Sequence, residues 1–413
     1  MTDRTAVDGR PGTVGGSAID WDRRAELFSL DPRVTYLNHG SYGAVPRPVQ
    51  AAQQRLRDEM DANPMAFFNR GLLDRLAHTR RHLAGFVGAD PEGVAMVANA
   101  TTATAVVLGS LDLRAGDEIL LTNHGYGAVR LAAEAVAAPV GASVREVALP
   151  LAGPDDEVLE IVTGAVRPGR TRLVVIDHVT SPTARLLPVN RLVDALHERG
   201  VMVLVDAAHA PGMLDLQVAR LGADFWLGNL HKWAFAPRPT ALLAVAAEHR
   251  PTMRPLVVSW EQQQGYPAAQ EVAGTLDYTP WLAAPAGVHL LRTLGLERVR
   301  GHNNGLAAQG QRIVAAAIAP HWPRTDPAAL AEFESAREGR LGHPELSLRM
   351  VPVPPAVAAD RAALQLQLAT AHRVEVPVVA WGGRAYVRLS AQVYNRVEDY
   401  DRLAHALARE LAA

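Results

Sequence analysis

The sequence predicts an α/β protein: a large domain built on a mostly parallel, seven-stranded sheet, followed by a smaller α+β domain. Two observations lead to this prediction. Between residues 94 and 245, short apolar runs alternate with helical stretches, as strands and crossover helices do in a parallel sheet. The length of 413 residues also exceeds what a single hydrophobic core usually supports, which favours two domains.

The composition excludes several classes of function. With a net charge of −2, the chain offers no basic surface for nucleic acid. It contains no cysteine, which excludes disulfides, Cys-ligated zinc and a thiol nucleophile. No pair of histidines has the spacing and neighbouring acid of a common metal motif, so no metal site is expected. Neither an export signal nor a run of about 18 apolar residues is present, and we expect a cytoplasmic protein without membrane contact.

The N-terminal region is predicted to be a tail and an arm that precede the large domain. Residues 1–20 are rich in glycine and short of large apolar side chains, so a disordered tail is expected. Residues 21–48 form the arm, whose sequence is rich in Asn, His, Gly and Ser from Tyr36 onwards. The elements expected here are a short helix at 21–30, an extended stretch at 36–49, and helices at 49–60 and from about 71 to 86.

The large domain is expected over residues 49–290. One helix is predicted between the strands at 172–177 and 201–205. After Pro188, four apolar residues recur at i, i+3, i+4 and i+7, and Gly200 ends the helix; they are Val189, Leu192, Val193 and Leu196. The irregular stretch at 246–285, rich in Gln, Pro and Trp, is expected to form loops over the site. The predicted strands are 94–98, 118–122, 143–148, 172–177, 201–205, 224–228 and 240–245.

The small C-terminal domain is expected over residues 291–413, after a helix from about 281 to 294. Its pattern mixes helices and strands, which is typical of an α+β unit. The predicted elements are helices at 305–318, 360–371 and 397–411 and strands at 346–352, 373–380 and 385–390.

One residue stands out because it is the only lysine in the chain, while the other 40 of its 41 Lys and Arg residues are arginines. Lys232 lies in an apolar, aromatic segment and offers a primary amine that can lose its proton and attack a carbonyl. Asp206 follows the apolar run at 201–205, where a buried strand is expected to end. A lysine that forms a Schiff base and an aspartate that pairs with a pyridinium nitrogen are typical of a pyridoxal 5'-phosphate site. A surface lysine and a turn-capping aspartate are the alternative.

Further polar motifs follow the ends of other predicted strands. Thr101 and Thr102 stand where a helix begins, where backbone N–H groups and hydroxyls bind anions; a plain Thr cap is the alternative. Tyr126 follows the next strand, where an aromatic ring stacks on a cofactor or packs on the domain surface. Ser181 follows the strand at 172–177 and can bond to a ring hydroxyl. Asn229 and His231 precede the lysine and are further candidates for a phosphate.

Arg388 lies among apolar residues in a predicted strand of the small domain. A buried guanidinium needs a planar anionic partner, and a substrate carboxylate fits its two parallel N–H groups. An internal pair with Asp or Glu is the alternative. The first interpretation predicts an α-amino-acid substrate.

Together these motifs resemble the class V aminotransferase superfamily over about residues 30–410. The matching residues are Asp206-x-x-His209, the Asn-Leu-His-Lys segment ending at Lys232, Gly274-Thr275, and VRLSAQVYN at 387–395. The segments LNHGSYGAVP, NPMAFF and HVTSPTARLLPV are similar to the isopenicillin N epimerase-like branch, which contains amino-acid epimerases and carbon–sulfur lyases. The resemblance implies the PLP-dependent transferase fold type I.

The resemblance also implies a role for each matching residue. Lys232 would carry pyridoxal phosphate, Asp206 would pair with its ring nitrogen, and His209 would lie with Ser181 beside the ring hydroxyl. Arg388 would bind the substrate carboxylate. The implied phosphate ligands are Thr101, Thr102, Asn229 and His231, the stacking residue is Tyr126, the substrate-side residues are Asn38 and His39, and the residues reaching a neighbouring subunit's phosphate are Gly274 and Thr275. The last pair implies a homodimer with shared active sites.

The predicted activity is chemistry at Cα of an amino acid, with Lys232 as the base for the Cα proton. β-Elimination from an S-substituted cysteine is favoured because it needs one base, whereas epimerisation usually needs a second base on the opposite face. Epimerisation and transamination, or a decarboxylation-linked reaction, are the alternatives, as is a binding module without catalysis. Cysteine desulfurase activity is excluded, because no cysteine is present to accept sulfur.

Overall fold

The computed structural model of the chain describes residues 20–323, 326–355 and 360–412. The predicted disordered tail at 1–20 lies outside these ranges apart from Asp20. The strands are β1 (Thr35–Tyr36), β2 (Val94–Val97), β3 (Glu118–Thr122), β4 (Ser143–Val147), β5 (Thr171–Asp177), β6 (Met202–Asp206), β7 (Phe225–Asn229), β8 (Ala241–Val245), β9 (Leu348–Pro352), β10 (Val374–Glu375), β11 (Val378–Trp381) and β12 (Arg384–Ser390).

From β2 to β7, a helix separates each strand from the next along the chain, as the alternating sequence pattern predicts. They are α1 (His39–Tyr42), α2 (Arg47–Ala62), α3 (Pro64–Asn69), α4 (Leu72–Val87), α5 (Ala100–Ser110), α6 (Gly127–Ala137), α7 (Asp155–Gly164), α8 (Val189–His197), α9 (Val218–Leu221), α10 (Ala268–Glu271), α11 (Thr279–Leu294), α12 (Leu296–Ile318), α13 (Pro327–Arg337), α14 (Arg361–Thr370) and α15 (Val397–Ala412).

The largest sheet has seven strands in the order β2-β8-β7-β6-β5-β3-β4. The strands from β3 to β7 run parallel to one another, and β8 is antiparallel to both β7 and β2. The prediction of a mostly parallel seven-stranded sheet is therefore confirmed, and each predicted strand bound lies within one residue of the observed one. The carboxyl ends of β5, β6 and β7 meet at one edge, which is where ligands bind in sheets of this kind.

Alternate residues of each strand enter two different cores, one on each face of the sheet. On β5, Val174 and Ile176 pack in the core that contains Leu192 of α8, whereas Leu173 and Val175 pack with residues of α5 and α6. Because both faces of the sheet are buried, the strands have continuous apolar sequences. Helix α8 buries the predicted apolar face of Val189, Leu192, Val193 and Leu196.

The C-terminal region contains a three-stranded antiparallel sheet in the order β11-β12-β9. Helices α12 and α15 pack against each other, and α12 also lies on β9 and β12. Arg388 lies on the central strand β12, opposite Met350 of β9. The mixture of helices and strands agrees with the predicted α+β character, whereas the domain boundary near residue 290 stays a prediction.

Several segments differ from the sequence-based expectation. Helix α12 begins at Leu296 instead of residue 305, and α10 lies in the stretch at 246–285 that was expected to form loops. The arm is not extended throughout, because His39–Tyr42 forms one helical turn and α2 begins at Arg47. The expected strand at 373–380 is two short strands, β10 and β11, and β10 pairs with β1 of the arm. Helix α13 was not predicted, although Asp326 caps it by accepting the N–H groups of Ala328 and Ala329.

In the described ranges, no helix is both long and apolar enough to cross a membrane.

Candidate active site

A cavity of about 630 Å³ lies at the carboxyl ends of β5, β6 and β7, and β11, β12 and the arm form its other walls. The structure brings residues from distant parts of the sequence together here. The predicted residues that line it are Thr101, Tyr126, Ser181, Asp206, His209, Asn229, His231, Lys232 and Arg388.

Lys232 projects into this cavity from the loop that follows β7. Its Nζ lies 3.1 Å from Nε2 of His209. Burial and the nearby Arg388 guanidinium lower the pKa of the Lys232 amine to about 7, although Asp206 and Asp177 act in the opposite direction. Near neutral pH a substantial fraction of this amine is therefore unprotonated and nucleophilic.

His209 is the residue that contacts the lysine amine. Its side chain is 1% exposed, and its Nε2 also lies 3.3 Å from the Oγ of Ser181. On the other side of the ring, Nδ1 accepts a hydrogen bond from the indole N–H of Trp233 at 3.3 Å. Burial, together with Lys232 and Arg388, holds the pKa of His209 well below its usual value, so the imidazole is neutral. Since Nδ1 accepts from Trp233, the ring proton is placed on Nε2.

Asp206 ends β6 and lies beside Asp177, which ends β5 in the same register. Each side chain is only 4% exposed. Asp206 accepts the N–H of Ala208 at 2.9 Å, and burial raises the pKa of its carboxyl group. Asp177 is the last residue of the strand predicted at 172–177, and its place in the cavity wall was not predicted.

Arg388 is 5% exposed and has no carboxylate partner in the part of the chain that the structure describes. One of its terminal nitrogens donates to the carbonyl oxygen of Ser181 at 2.6 Å and to its Oγ at 3.2 Å. The other donates to Oγ of Ser41 at 3.1 Å, while Nε has no acceptor among the described residues. Burial lowers the pKa of this guanidinium to about 10, which still leaves it charged at neutral pH. The predicted alternative of an internal Asp or Glu partner is therefore not observed within the described ranges.

The N-terminus of α5 forms another wall. Asn99 caps this helix, and its side-chain oxygen accepts both the N–H and the hydroxyl of Thr102. Asn229 accepts the N–H of Ala100 at 2.9 Å. The N–H of Thr101 has no acceptor among the described residues, so it is available to an anion. The Thr102 hydroxyl, by contrast, is engaged in the cap and does not line the cavity.

His231 directly precedes the lysine and is held by the backbone of Thr240. Its Nδ1 lies 2.9 Å from the carbonyl oxygen of Thr240. Burial lowers the pKa of His231 to about 4, so the ring approaches the cavity as a neutral group.

The arm contributes to the site mainly from behind the lysine. His39 is fully buried, with Nε2 at 2.9 Å from the carbonyl oxygen of Lys232 and Nδ1 at 3.0 Å from the hydroxyl of Tyr394. Burial lowers the pKa of His39 to about 3. Asn38 accepts the hydroxyl of Ser41 at 2.5 Å. Neither Asn38 nor His39 lines the cavity, so their assignment to the substrate side stays a prediction that this geometry does not favour.

Gly43 explains why the arm can approach the lysine so closely. Its φ is +67°, and a Cβ atom at this position would overlap the carbonyl oxygen of His231. Glycine is therefore required by both the backbone conformation and the contact. The neighbouring Ser41 lines the cavity and contacts Arg388; its position in the LNHGSYG segment was the only signal for it in the sequence.

The last three predicted residues are exposed, and only Tyr126 belongs to the cavity wall. Tyr126 precedes α6, is 51% exposed and lines the cavity. Gly274 and Thr275 are exposed and do not line the cavity of their own chain. Gly274 has a φ of +100°, and its carbonyl oxygen accepts the hydroxyl of Tyr278 at 2.8 Å.

Comparison with known proteins identifies the family of the chain. Residues 35–325 match the family model Aminotransferase class-V. The chain belongs to this family. The predicted resemblance to class V aminotransferases is thus confirmed.

Two class-V relatives with different activities are similar over nearly the whole chain. Isopenicillin N epimerase of Amycolatopsis lactamdurans is 36% identical and aligns with 94% of this chain and 98% of its own length. L-cysteine desulfhydrase of Arabidopsis thaliana is 31% identical, with 95% of this chain and 91% of that protein covered. Among solved structures, the cystine C–S lyase C-DES in complex with its product cysteine persulfide has a TM-score of 0.74 and 22% identity, and covers 91% of this chain and 97% of that chain. This last likeness shows that the two chains share a fold.

Proposed function

We propose that this class-V protein is a pyridoxal 5'-phosphate-dependent enzyme that acts at Cα of an α-amino acid and eliminates the sulfur-linked group of an S-substituted cysteine. One observation supports this most strongly. A single cavity combines the Lys232 amine, whose pKa is near 7, the buried carboxylate of Asp206, and the Arg388 guanidinium without an acidic partner in the described ranges. These are the groups needed for a carbonyl cofactor, its ring nitrogen and a substrate carboxylate.

The residues fit this cofactor. Lys232 would hold it covalently through Nζ, and Asp206 would pair with its ring nitrogen. The N–H of Thr101 and the positive end of the α5 dipole would meet the phosphate, with Asn229 and His231 beside them. Tyr126 lines the same cavity, where its ring would stack on the cofactor.

When bound, pyridoxal phosphate supplies an electron sink that lets an amino acid lose its Cα proton. Nζ of Lys232 is the base for this proton, because its lowered pKa leaves it partly unprotonated at neutral pH. His209 stays neutral and holds the amine at 3.1 Å without adding a competing charge. This arrangement keeps the base oriented while it gains and releases a proton.

Arg388 selects a substrate that carries a carboxylate. Its two terminal nitrogens now donate to oxygens of Ser181 and Ser41, which are neutral acceptors. A carboxylate is a stronger acceptor for a guanidinium than a hydroxyl or carbonyl oxygen, and it can accept both N–H groups at once. The substrate would therefore be fixed at its carboxylate, with Cα held near Lys232.

Elimination fits these residues best, because it needs no second acid or base besides Lys232. Once Nζ of Lys232 has taken the Cα proton, the electron pair left at Cα forms the Cα–Cβ double bond, and the Cβ–S bond breaks with its electron pair leaving on sulfur. The similarity to L-cysteine desulfhydrase of Arabidopsis thaliana supports this reaction. Epimerisation is the second candidate, because the similarity to isopenicillin N epimerase is also extensive. It would require delivery of a proton to the opposite face of Cα, and Lys232 is the only lysine in the sequence.

The proposed enzyme is a homodimer with shared active sites. Thr275 is exposed and away from its own cavity, as a residue that reaches a neighbour would be. The preceding segment carries exposed apolar side chains, with Val258 74% and Trp260 93% exposed. Such a patch favours burial against another protein surface, and a second copy of the chain is the proposed partner.

A single experiment separates the candidate reactions. The protein loaded with pyridoxal phosphate would be incubated in D2O with S-alkyl cysteines and with simple amino acids, and the products analysed by mass spectrometry. Elimination releases thiol and pyruvate, whereas epimerisation returns the amino acid with deuterium at Cα and altered chirality. Absence of both deuterium exchange and product release with every α-amino acid would contradict the proposed function.

A further inference from the structure

Two buried carboxyl groups lie side by side in the cavity wall, although the proposed reaction uses only one. Asp177 and Asp206 occupy paired positions on the parallel strands β5 and β6, so their side chains point to the same face of the sheet. Both are 4% exposed and both line the cavity. A Cβ atom at Gly125 would lie 3.7 Å from Oδ2 of Asp177, which places this oxygen beside the loop that follows β3.

The two groups differ in their hydrogen bonds. Asp206 accepts the N–H of Ala208 at 2.9 Å. In the described ranges, Asp177 has no side-chain donor and no ion-pair partner, and only its own backbone N–H acts on its carboxyl group as a hydrogen-bond donor. A buried carboxylate without a side-chain donor is costly, and a second negative charge beside it adds repulsion. Two adjacent carboxyl groups avoid both costs when they share one proton.

We propose that Asp177 is a neutral carboxylic acid whose O–H donates to the carboxylate of Asp206, so that the pair carries one negative charge. The proton balance is simple, because one proton stays on Asp177 and Asp206 remains the ionised member. Burial and the neighbouring Asp206 both raise the pKa of Asp177 well above its usual value, which agrees with this assignment. The amine of Lys232 is the cation that faces both carboxyl groups.

This inference rests on the proposed function where it concerns the cofactor. Asp177 is then a positioning residue: its hydrogen bond stabilises the ionised form of Asp206, which the ring nitrogen requires. Donation by Asp177 would also orient the Asp206 carboxylate, together with the N–H of Ala208. The contact would keep the partner of the ring nitrogen charged as the pH falls.

The shared proton can be tested without the cofactor, by infrared spectroscopy of the cofactor-free protein at pH 7. The difference between wild type and Asp177→Asn is expected to show loss of a neutral carboxylic-acid C=O band. Asp215→Asn, which removes a carboxylate that is 87% exposed, is the control and is expected to show loss of carboxylate bands instead. Loss of carboxylate bands in Asp177→Asn would overturn the proposal.

The positioning role is tested by the acid midpoint at which the protein loses its bound pyridoxal phosphate absorbance. Asp177→Asn keeps an N–H donor and is expected to shift this midpoint by less than about 0.3 pH unit, whereas Asp177→Leu removes the donor and is expected to raise it by about one unit. A large shift in Asp177→Asn would show that a charged Asp177 is needed and would overturn the inference. Failure of wild type to bind the cofactor through Lys232 would instead contradict the proposed function, and the infrared result would still decide whether the pair holds a proton.

Discussion

Nζ of Lys232 and Nε2 of His209 lie 3.1 Å apart, so that two nitrogen bases are in contact in the buried wall of the cavity. Burial and Arg388 lower the pKa of the amine to about 7, and burial holds the pKa of the imidazole well below its usual value. Two positive charges at this distance would repel each other strongly. At most one of the two side chains is therefore positively charged at a time. This favours the unprotonated amine, which can attack a carbonyl.

Lys232→Ala is expected to abolish the covalent link to pyridoxal phosphate. The wild-type protein should form an adduct that borohydride reduces to a stable secondary amine, and the variant should form none, because no other lysine exists in the sequence. Mass spectrometry of the intact protein after reduction measures this directly. A reducible adduct of unchanged yield in Lys232→Ala would contradict the assignment.

The pH dependence of stability provides an independent test of the Lys232 environment. The folded amine has a pKa of about 7 instead of 10.5, so between these values the unfolded chain holds a proton that the folded chain has released. The free energy of unfolding should therefore rise with pH in this window and fall as the pH drops towards 7, by at most about 1.4 kcal/mol per pH unit for one proton. Lys232→Met should lose this contribution. Urea unfolding of both cofactor-free proteins from pH 7 to 10 measures the difference, and parallel curves would contradict a lowered pKa.

Local sequence pattern was sufficient to predict the sheet, because strands buried on both faces must be apolar throughout. It also located Lys232 and Asp206, since each is a polar residue that directly follows or lies within an apolar run. Arg388 could be placed for the same reason: a charged side chain within an apolar strand needs a special environment. The structure adds that its acceptors within the described ranges are the hydroxyl and carbonyl oxygens of Ser181 and Ser41.

Contacts between distant residues could not be predicted in this way. His39 bonds to the carbonyl of Lys232 across 193 positions, and nothing in the local sequence distinguishes a buried structural histidine from a substrate ligand. The pairing of Asp177 with Asp206 depends on which strands are neighbours, and that order was not predicted. Thr102 was placed correctly at a helix start. Only the structure shows that its hydroxyl donates to the Asn99 side chain instead of facing a phosphate.

The proposed dimer is tested by combining two different lesions. Thr275→Ala should raise the dissociation constant for pyridoxal phosphate while leaving the chain folded, because Thr275 is exposed and contacts nothing in its own cavity. Refolding a mixture of Thr275→Ala and Lys232→Ala chains should restore part of the activity, since one of the two hybrid sites carries neither lesion. Each variant refolded alone is the control. Full activity of a monomer at micromolar concentration would refute shared sites.

Arg388→Lys is expected to separate substrate binding from folding. Lysine keeps the positive charge but cannot donate two parallel N–H groups to one carboxylate. The expected loss is roughly 2–3 kcal/mol, or about 30- to 150-fold in kcat/KM for an α-amino acid. An amine without the carboxylate should react poorly with wild type, and its kcat/KM should be nearly the same for the variant.

Arg349 offers a matched control on the neighbouring strand β9. It is 2% exposed, and it donates to the carbonyl oxygens of Leu346 at 2.6 Å, Leu348 at 2.8 Å and Pro344 at 3.2 Å. Both of its terminal nitrogens therefore donate to the backbone, and Arg349→Lys should lower the free energy of unfolding without distinguishing the amino acid from the amine. If Arg388→Lys behaves like this control, with equal losses on both substrates and reduced stability, the guanidinium of Arg388 is structural. Selective loss on the amino acid alone would instead assign the cavity to a substrate held by its carboxylate.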